Sequence, residues 1–271
     1  MPLFSAVAPL PVNRIKNRLF DPDARDYILR VEAADGERLE SRVRGAINSF
    51  VIGCKADGIW NSLVTSCIMA GARTVAGAIV PLKGNAPTNN NFVIGDYSRK
   101  LGLLGNDTDK YLATGYNNND TTNFPQNDSH ISCFVSASQT DTAGTLVGGI
   151  NIGSGGRISL HYATATQIST RNRAATASTN FLAPIGFQGN TRNNSANFSR
   201  RFTSSGGVSD SVQTLASATP TSDSIGVFAA GNGSNFSNAR MSFYSIGKSL
   251  TLSSLDSRVT TLMNTLASVL P

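Results

Sequence analysis

The hydrophobic period of this chain changes twice along its length. Up to about residue 70, apolar side chains recur at three- and four-residue steps, as in Leu39, Val43, Ile47 and Phe50. From there to Gly247 they come in short alternating runs, and then Leu255, Val259, Leu262, Met263 and Leu266 restore the helical step up to Pro271. Three- and four-residue spacing gives a helix one apolar stripe; alternation gives a strand one buried face. A strand-rich body bracketed by striped helices must cover both kinds of surface, which sets aside alternating βαβ units. No repeat period indicates a solenoid or propeller.

Local signals place the elements. Asp21-Pro22-Asp23 reads as a helix start, with Asp21 as N-cap and Pro22 in the first helical position. Helices are predicted near 22–33, 36–52, 58–70 (Asp57 as cap) and 254–269, with Trp60 in the core of a helical layer. Runs of strand length include Phe92 to Ile94, His130 to Val135, Thr145 to Val147, Arg157 to Tyr162, Phe181 to Ala183, Phe198 to Phe202, Ile225 to Ala229 and Arg240 to Tyr244. Gly, Asn, Asp and Ser clusters separate them, the spacing of a β-sandwich. In the last strand Met241, Phe243 and Ser245 are expected on one face, with Ser242, Tyr244 and Ile246 on the other. The expected organisation is an extended arm over 1–20, a helical segment over 21–72, a sandwich over 73–250 and a closing helix over 251–271.

Composition narrows the chemistry. Only 15% of residues are charged and the net charge is +6, without a Lys/Arg block. Nucleic-acid binding is not expected: Arg171, Arg173, Arg192, Arg200 and Arg201 lie near aromatics, but alternation sends Arg200 and Arg201 to opposite faces. The three glutamates, Glu32, Glu37 and Glu40, all precede residue 41. The facing carboxylate pair that glycoside hydrolysis normally requires is therefore not built from glutamates in the strand region. His130 and His161 lack a nucleophile motif such as GxSxG. Cys54, Cys67 and Cys133 carry no metal spacing and read as buried free thiols, and no cofactor is expected. Asp107 and Asp109 are a weak calcium candidate, without the remaining ligands of a calcium loop. The N-terminus lacks the features of a signal peptide, and no apolar run is long enough to span a membrane.

Sugar recognition on a sandwich combines an aromatic platform with amide and hydroxyl partners. The loop Tyr116-Asn117-Asn118-Asn119-Asp120 supplies these, so Tyr116 and Asn118 are candidate carbohydrate-binding residues, with Tyr162 as a second platform. The same loop also suits a solvated turn.

Four segments, over 21–60, 67–115, 127–137 and 241–271, resemble bacteriophage and prophage virion proteins with a laminin-G/concanavalin-A-like jelly roll. They include DPDARDYILRVEAADGERLESRVRGAINSF, NNNFVIGDYSRKLGLLGNDTDKYLATG and MSFYSIGKSLTLSSLDSRVTTLMNTLASVLP. The resemblance implies a mainly β jelly-roll sandwich carrying a small helical layer from both ends of the chain. It also implies a non-enzymatic structural part of a virion, of the capsid-decoration, spike, head-fibre or tail-fibre kind. The implied partners are other virion proteins, reached through the N-terminal arm, and host-surface polysaccharide; a homotrimer is the favoured assembly. A carbohydrate-binding module or polysaccharide hydrolase on a concanavalin-like fold is the alternative. Whether the helical stripes pack within one chain or between copies is open at this level.

Overall fold

The structure is a computed structural model, and it describes residues 20–137, 143–150, 155–164, 167–175, 178–179, 185–204 and 206–271. The helices are α1 (Pro22–Asp35), α2 (Ser41–Ala56), the one-turn α3 (Val75–Ala78) and α4 (Leu252–Val269). The strands begin with β1 (Leu63–Ile68), β2 (Pro81–Lys83), β3 (Thr88–Asn90), β4 (Tyr97–Ser98), β5 (Gly102–Leu104), β6 (Tyr111–Asn117), β7 (Ser129–Ala137) and β8 (Gly144–Gly148). They continue with β9 (Arg157–Thr164), β10 (Gln167–Ala174), β11 (Ser178–Thr179), β12 (Gly186–Arg192), β13 (Phe198–Ser204), β14 (Gly207–Gln213), β15 (Ser224–Val227) and β16 (Arg240–Gly247).

Two antiparallel sheets face each other as a jelly-roll-like sandwich. Sheet A runs β14-β13-β12-β7-β16-β1-β2, with β5 joined to β16 and β4; sheet B runs β11-β10-β9-β8-β15-β6-β3. Alternation builds three layers from sheet A. On β7, Ile131, Cys133 and Val135 point into the core between the sheets, while Phe134 packs under the helices. On β16, Tyr244 and Ile246 point inward and Phe243 meets Phe50 of α2 edge to face, with centroids 5.9 Å apart. Met241 departs from the expected alternation and lies in the inter-sheet core with Tyr244. The register slips between Met241 and Phe243, and such a bulge moves a side chain to the other face.

The helical layer forms within the chain. Leu255, Val259, Leu262, Met263 and Leu266 of α4 share one buried cluster with Val43, Ile47 and Phe50 of α2 and with Trp60. Asp21 caps α1, its Oδ1 accepting from Asp23 N at 3.0 Å. The predicted third helix is not there. Trp60–Ser62 is a single 3-10 turn, and residues 63–68, including Cys67, form strand β1, paired between β16 and the edge strand β2. Both faces of β1 are covered, Leu63 and Ile68 by helices and Cys67 by sheet B, so its apolar run carries no period that separates strand from helix. Asp57 caps no third helix; it ends α2 and pairs with Arg258 of α4 at 2.8 Å. The sandwich therefore begins at β1 rather than at residue 73. The predicted run at 181–183 lies outside the described residues.

One end of the sandwich is polar inside. Asn172 of β10 bridges the sheets, bonding Asn190 of β12 at 2.9 Å and Ser129 of β7 at 2.8 Å. Arg192 is fully buried and donates to the carbonyls of Asn172 (2.7 Å), Asn194 (3.0 Å) and Leu215 (2.7 Å). Arg173, also fully buried, donates to the carbonyls of Asn118, Gly156 and Phe124. Burial lowers both guanidinium groups to about 10. These arginines peg loops to the sandwich. No helix among the described residues is long and apolar enough to cross a membrane.

Candidate functional site

The chain enters α4 through residues 247–251, and side chains from sheet A pin this entry. His130 Nδ1–H donates to the Lys248 carbonyl (2.6 Å), which leaves Nε2 to accept from Ser245 Oγ (3.0 Å); Ser132 Oγ lies 2.8 Å beyond. Asp128 Oδ1 accepts from Ser249 N (2.7 Å) and Oγ (2.6 Å), and Thr191 Oγ1 accepts from Leu250 N (3.2 Å). Burial pushes the His130 imidazole down to about 4, so it sits there neutral. This histidine is part of the scaffold.

The pinned entry stands beside the outer strands of sheet A and leaves a cleft of about 500 Å³ between them. Thr251, Leu252 and Ser253 form one wall; Ser199, Arg201, Asp210 and Val212 form the floor and open side, with Thr191 at the end. Arg201 Nη1 meets Asp210 at 2.6 Å across the β13–β14 ladder, and Arg201 Nε meets Asp256 of α4 at 2.7 Å. Thr203 Oγ1 donates to the same Asp256 carboxylate at 2.6 Å. Burial works against the charge on Arg201, but its hydrogen bonds to Asp256 and Asp210 outweigh it and raise its affinity for the proton. Both carboxylates are thereby engaged. What the cleft presents outward is a set of hydroxyls, one ion pair and the exposed side of Val212, a surface for hydrogen-bonded recognition. A second groove of about 460 Å³ runs between α2 and α4, floored by small residues such as Gly45, Ser49 and Thr265.

The predicted carbohydrate-binding residues lie elsewhere and do not come together on a surface. Tyr162 is fully buried in the inter-sheet core. Asn118 is fully buried as well; its Oδ1 accepts from Ile158 N at 3.1 Å and its carbonyl accepts from Arg173. Tyr116 is half-buried and packs edge to face on Phe124, with centroids 5.4 Å apart. The loop is a docking point for the Arg173 peg, and Asn118 and Tyr162, expected at a surface, are both interior side chains. Asp109, of the calcium candidate, accepts from Asn106 (2.7 Å) and Asn91 (3.2 Å) in a surface turn. Among the described residues no group of three His, Cys, Asp or Glu side chains is placed to hold a metal ion. The cleft residues escaped the sequence reading because they join two remote segments. The signal available was the hairpin over 198–213, whose alternation sets Arg201 and Asp210 on one face.

Neither a protein-family model nor a curated protein matches the sequence. Among solved structures, the fold is similar to the botulinum neurotoxin serotype D binding domain, with a TM-score of 0.51 at 12% identity over 77% of this chain and 52% of that one. The chain thus spans about half the length of that domain. A Trypanosoma rangeli sialidase mutant displaying trans-sialidase activity aligns at 0.45 and 12% identity, over 83% of this chain and 39% of that one. The NanB sialidase from Streptococcus pneumoniae aligns at 0.36 and 10% identity, over 49% and 24%. Scores below 0.5 carry no argument, and the first likeness defines a fold class: a jelly-roll-like β-sandwich, here roofed by helices on one sheet.

Proposed function

We propose that this chain is a non-enzymatic component of a phage particle, a decoration, spike or fibre-like module, and that its cleft beside β14 takes a host-surface polysaccharide. The virion assignment rests on the resemblance of the segments at both ends of the chain to phage virion proteins. The observation that carries the ligand class is the cleft's composition. Hydroxyls of Thr191, Ser199, Thr251 and Ser253 surround a carboxylate–guanidinium pair already closed on itself, which suits hydrogen bonding to a polyol rather than proton transfer.

A second reading is a carbohydrate-binding module that works outside a particle. The similarity of the fold to a toxin's binding domain favours it. Both readings share a test. Ser199→Trp or Thr251→Trp fills the cleft from an incompletely buried position. Either change should cut retention of the chain on a panel of bacterial surface polysaccharides at least tenfold, with the melting temperature unchanged. Retention unaffected by both tryptophans removes the cleft from the account. Release of reducing ends from any polysaccharide of the panel removes the non-enzymatic reading.

A further inference from the structure

β14 ends sheet A, and among the described residues no strand pairs with its outer side. A bare strand edge offers a row of backbone donors and acceptors to any second strand, so natural edges are usually blunted by Lys, Pro, bulges or a covering element. Among the described residues, β14 has no Lys, Pro, bulge or covering strand. Its sequence is Gly207-Val208-Ser209-Asp210-Ser211-Val212-Gln213, and its ladder to β13 runs without a bulge from Phe198↔Gln213 to Ser204↔Gly207. Val208 and Val212 stand on one face and are 53% and 62% exposed.

Residues 208–212 read Val-Ser-Asp-Ser-Val in both directions. We propose that β14 pairs antiparallel with β14 of a second copy of this chain, about a twofold axis through Asp210. Twofold pairing about an axis normal to the sheet keeps faces matched only when the axis passes through a residue. With the axis at Asp210, Val208 lies opposite the partner's Val212 on both sides of it, and Ser209 lies opposite the partner's Ser211 on the other face. Axes at Ser209 or Ser211 would instead set a valine against the partner's Asp210. Two aspartates meeting at the axis repel unless neutralised. Here each is bound by its own Arg201, so the axis gathers two carboxylates and two guanidinium groups into a closed set. The valine pairs also bring the partner's Val208 against Val212, on the open side of the cleft. A second copy completes that wall, whatever the cleft holds. A strand that pairs with its own copy closes a dimer, not the trimer expected from the phage resemblance.

Light scattering on the purified chain at about 1–100 µM should give about twice 28.5 kDa. Val208→Lys with Val212→Lys, both on exposed sites, should return the mass to 28.5 kDa with an unchanged circular dichroism spectrum and a cooperative melt that no longer depends on protein concentration. The register is read by cross-linking. An equal mixture of Val208→Cys and Val212→Cys chains should form a disulfide-linked dimer on mild oxidation. Val208→Cys alone should not, because those two thiols lie four residues, about 14 Å, apart along the paired strands. Cys54, Cys67 and Cys133 are buried and stay out of the reaction. A monomer at 100 µM, a trimer, an assembly indifferent to the two lysines, or equal cross-linking by Val208→Cys alone each overturns the proposal.

Discussion

Under the helices, sheet A is closed mainly by apolar side chains: Leu255, Val259 and Leu262 of α4 share one buried cluster with Phe187 and Phe243. At the end of the sandwich where β10 meets β12, the interior is closed by the guanidinium groups of Arg173 and Arg192, each bound to three backbone carbonyls. Both regions are fully buried, yet they tolerate error differently. The apolar seam can relax around a lost methyl group. The arginine pegs leave several carbonyls without donors if one side chain is removed, and each such group costs its full desolvation. Arg173 and Arg192 also place part of the chain's basic charge inside the protein.

The largest effect expected is at a peg. Arg173→Met should destabilise the fold by about 3–5 kcal/mol or prevent its accumulation, measured by urea titration, because three carbonyls lose their donor. A loss below about 1 kcal/mol would put that region on the same footing as the seam. Leu255→Ala, at a fully buried site of the seam, should cost about 2–4 kcal/mol in the same titration, scaling with the cavity left behind.

Acid separates polar from apolar burial in another way. Burial lowers His130 and His161 from 6.5 to about 4, with the nearby Arg171 charge adding to the effect at His161. The unfolded chain then binds more protons than the native one between these values. Stability should be complete above pH 6.5 and fall as the pH drops toward 4, by up to about 3 kcal/mol per histidine. A flat profile from pH 7 to 4.5 would contradict this. The smallest effect is expected at the surface: Arg258→Ala removes a solvent-screened pair with Asp57 and should shift the urea midpoint less than any change above.

The terminal helices were legible because a single buried face imprints its period on the sequence, and the cap at Asp21 followed from local chemistry alone. β1 was not legible because two covered faces erase that period. Asn118, Tyr162 and Arg173 share a different opacity. Their residue types suit a surface, and only the meeting of segments remote in sequence, such as 118, 156 and 173, turns them into interior contacts. The cleft was hidden for the same reason, since its wall and floor are about 50 residues apart.

The proposed place in a phage particle is tested most directly by quantitative mass spectrometry of phage particles purified from cells that produce this chain. The account predicts that its peptides co-purify with the major capsid or tail proteins at a fixed copy number. Complete particles that lack it would contradict the account.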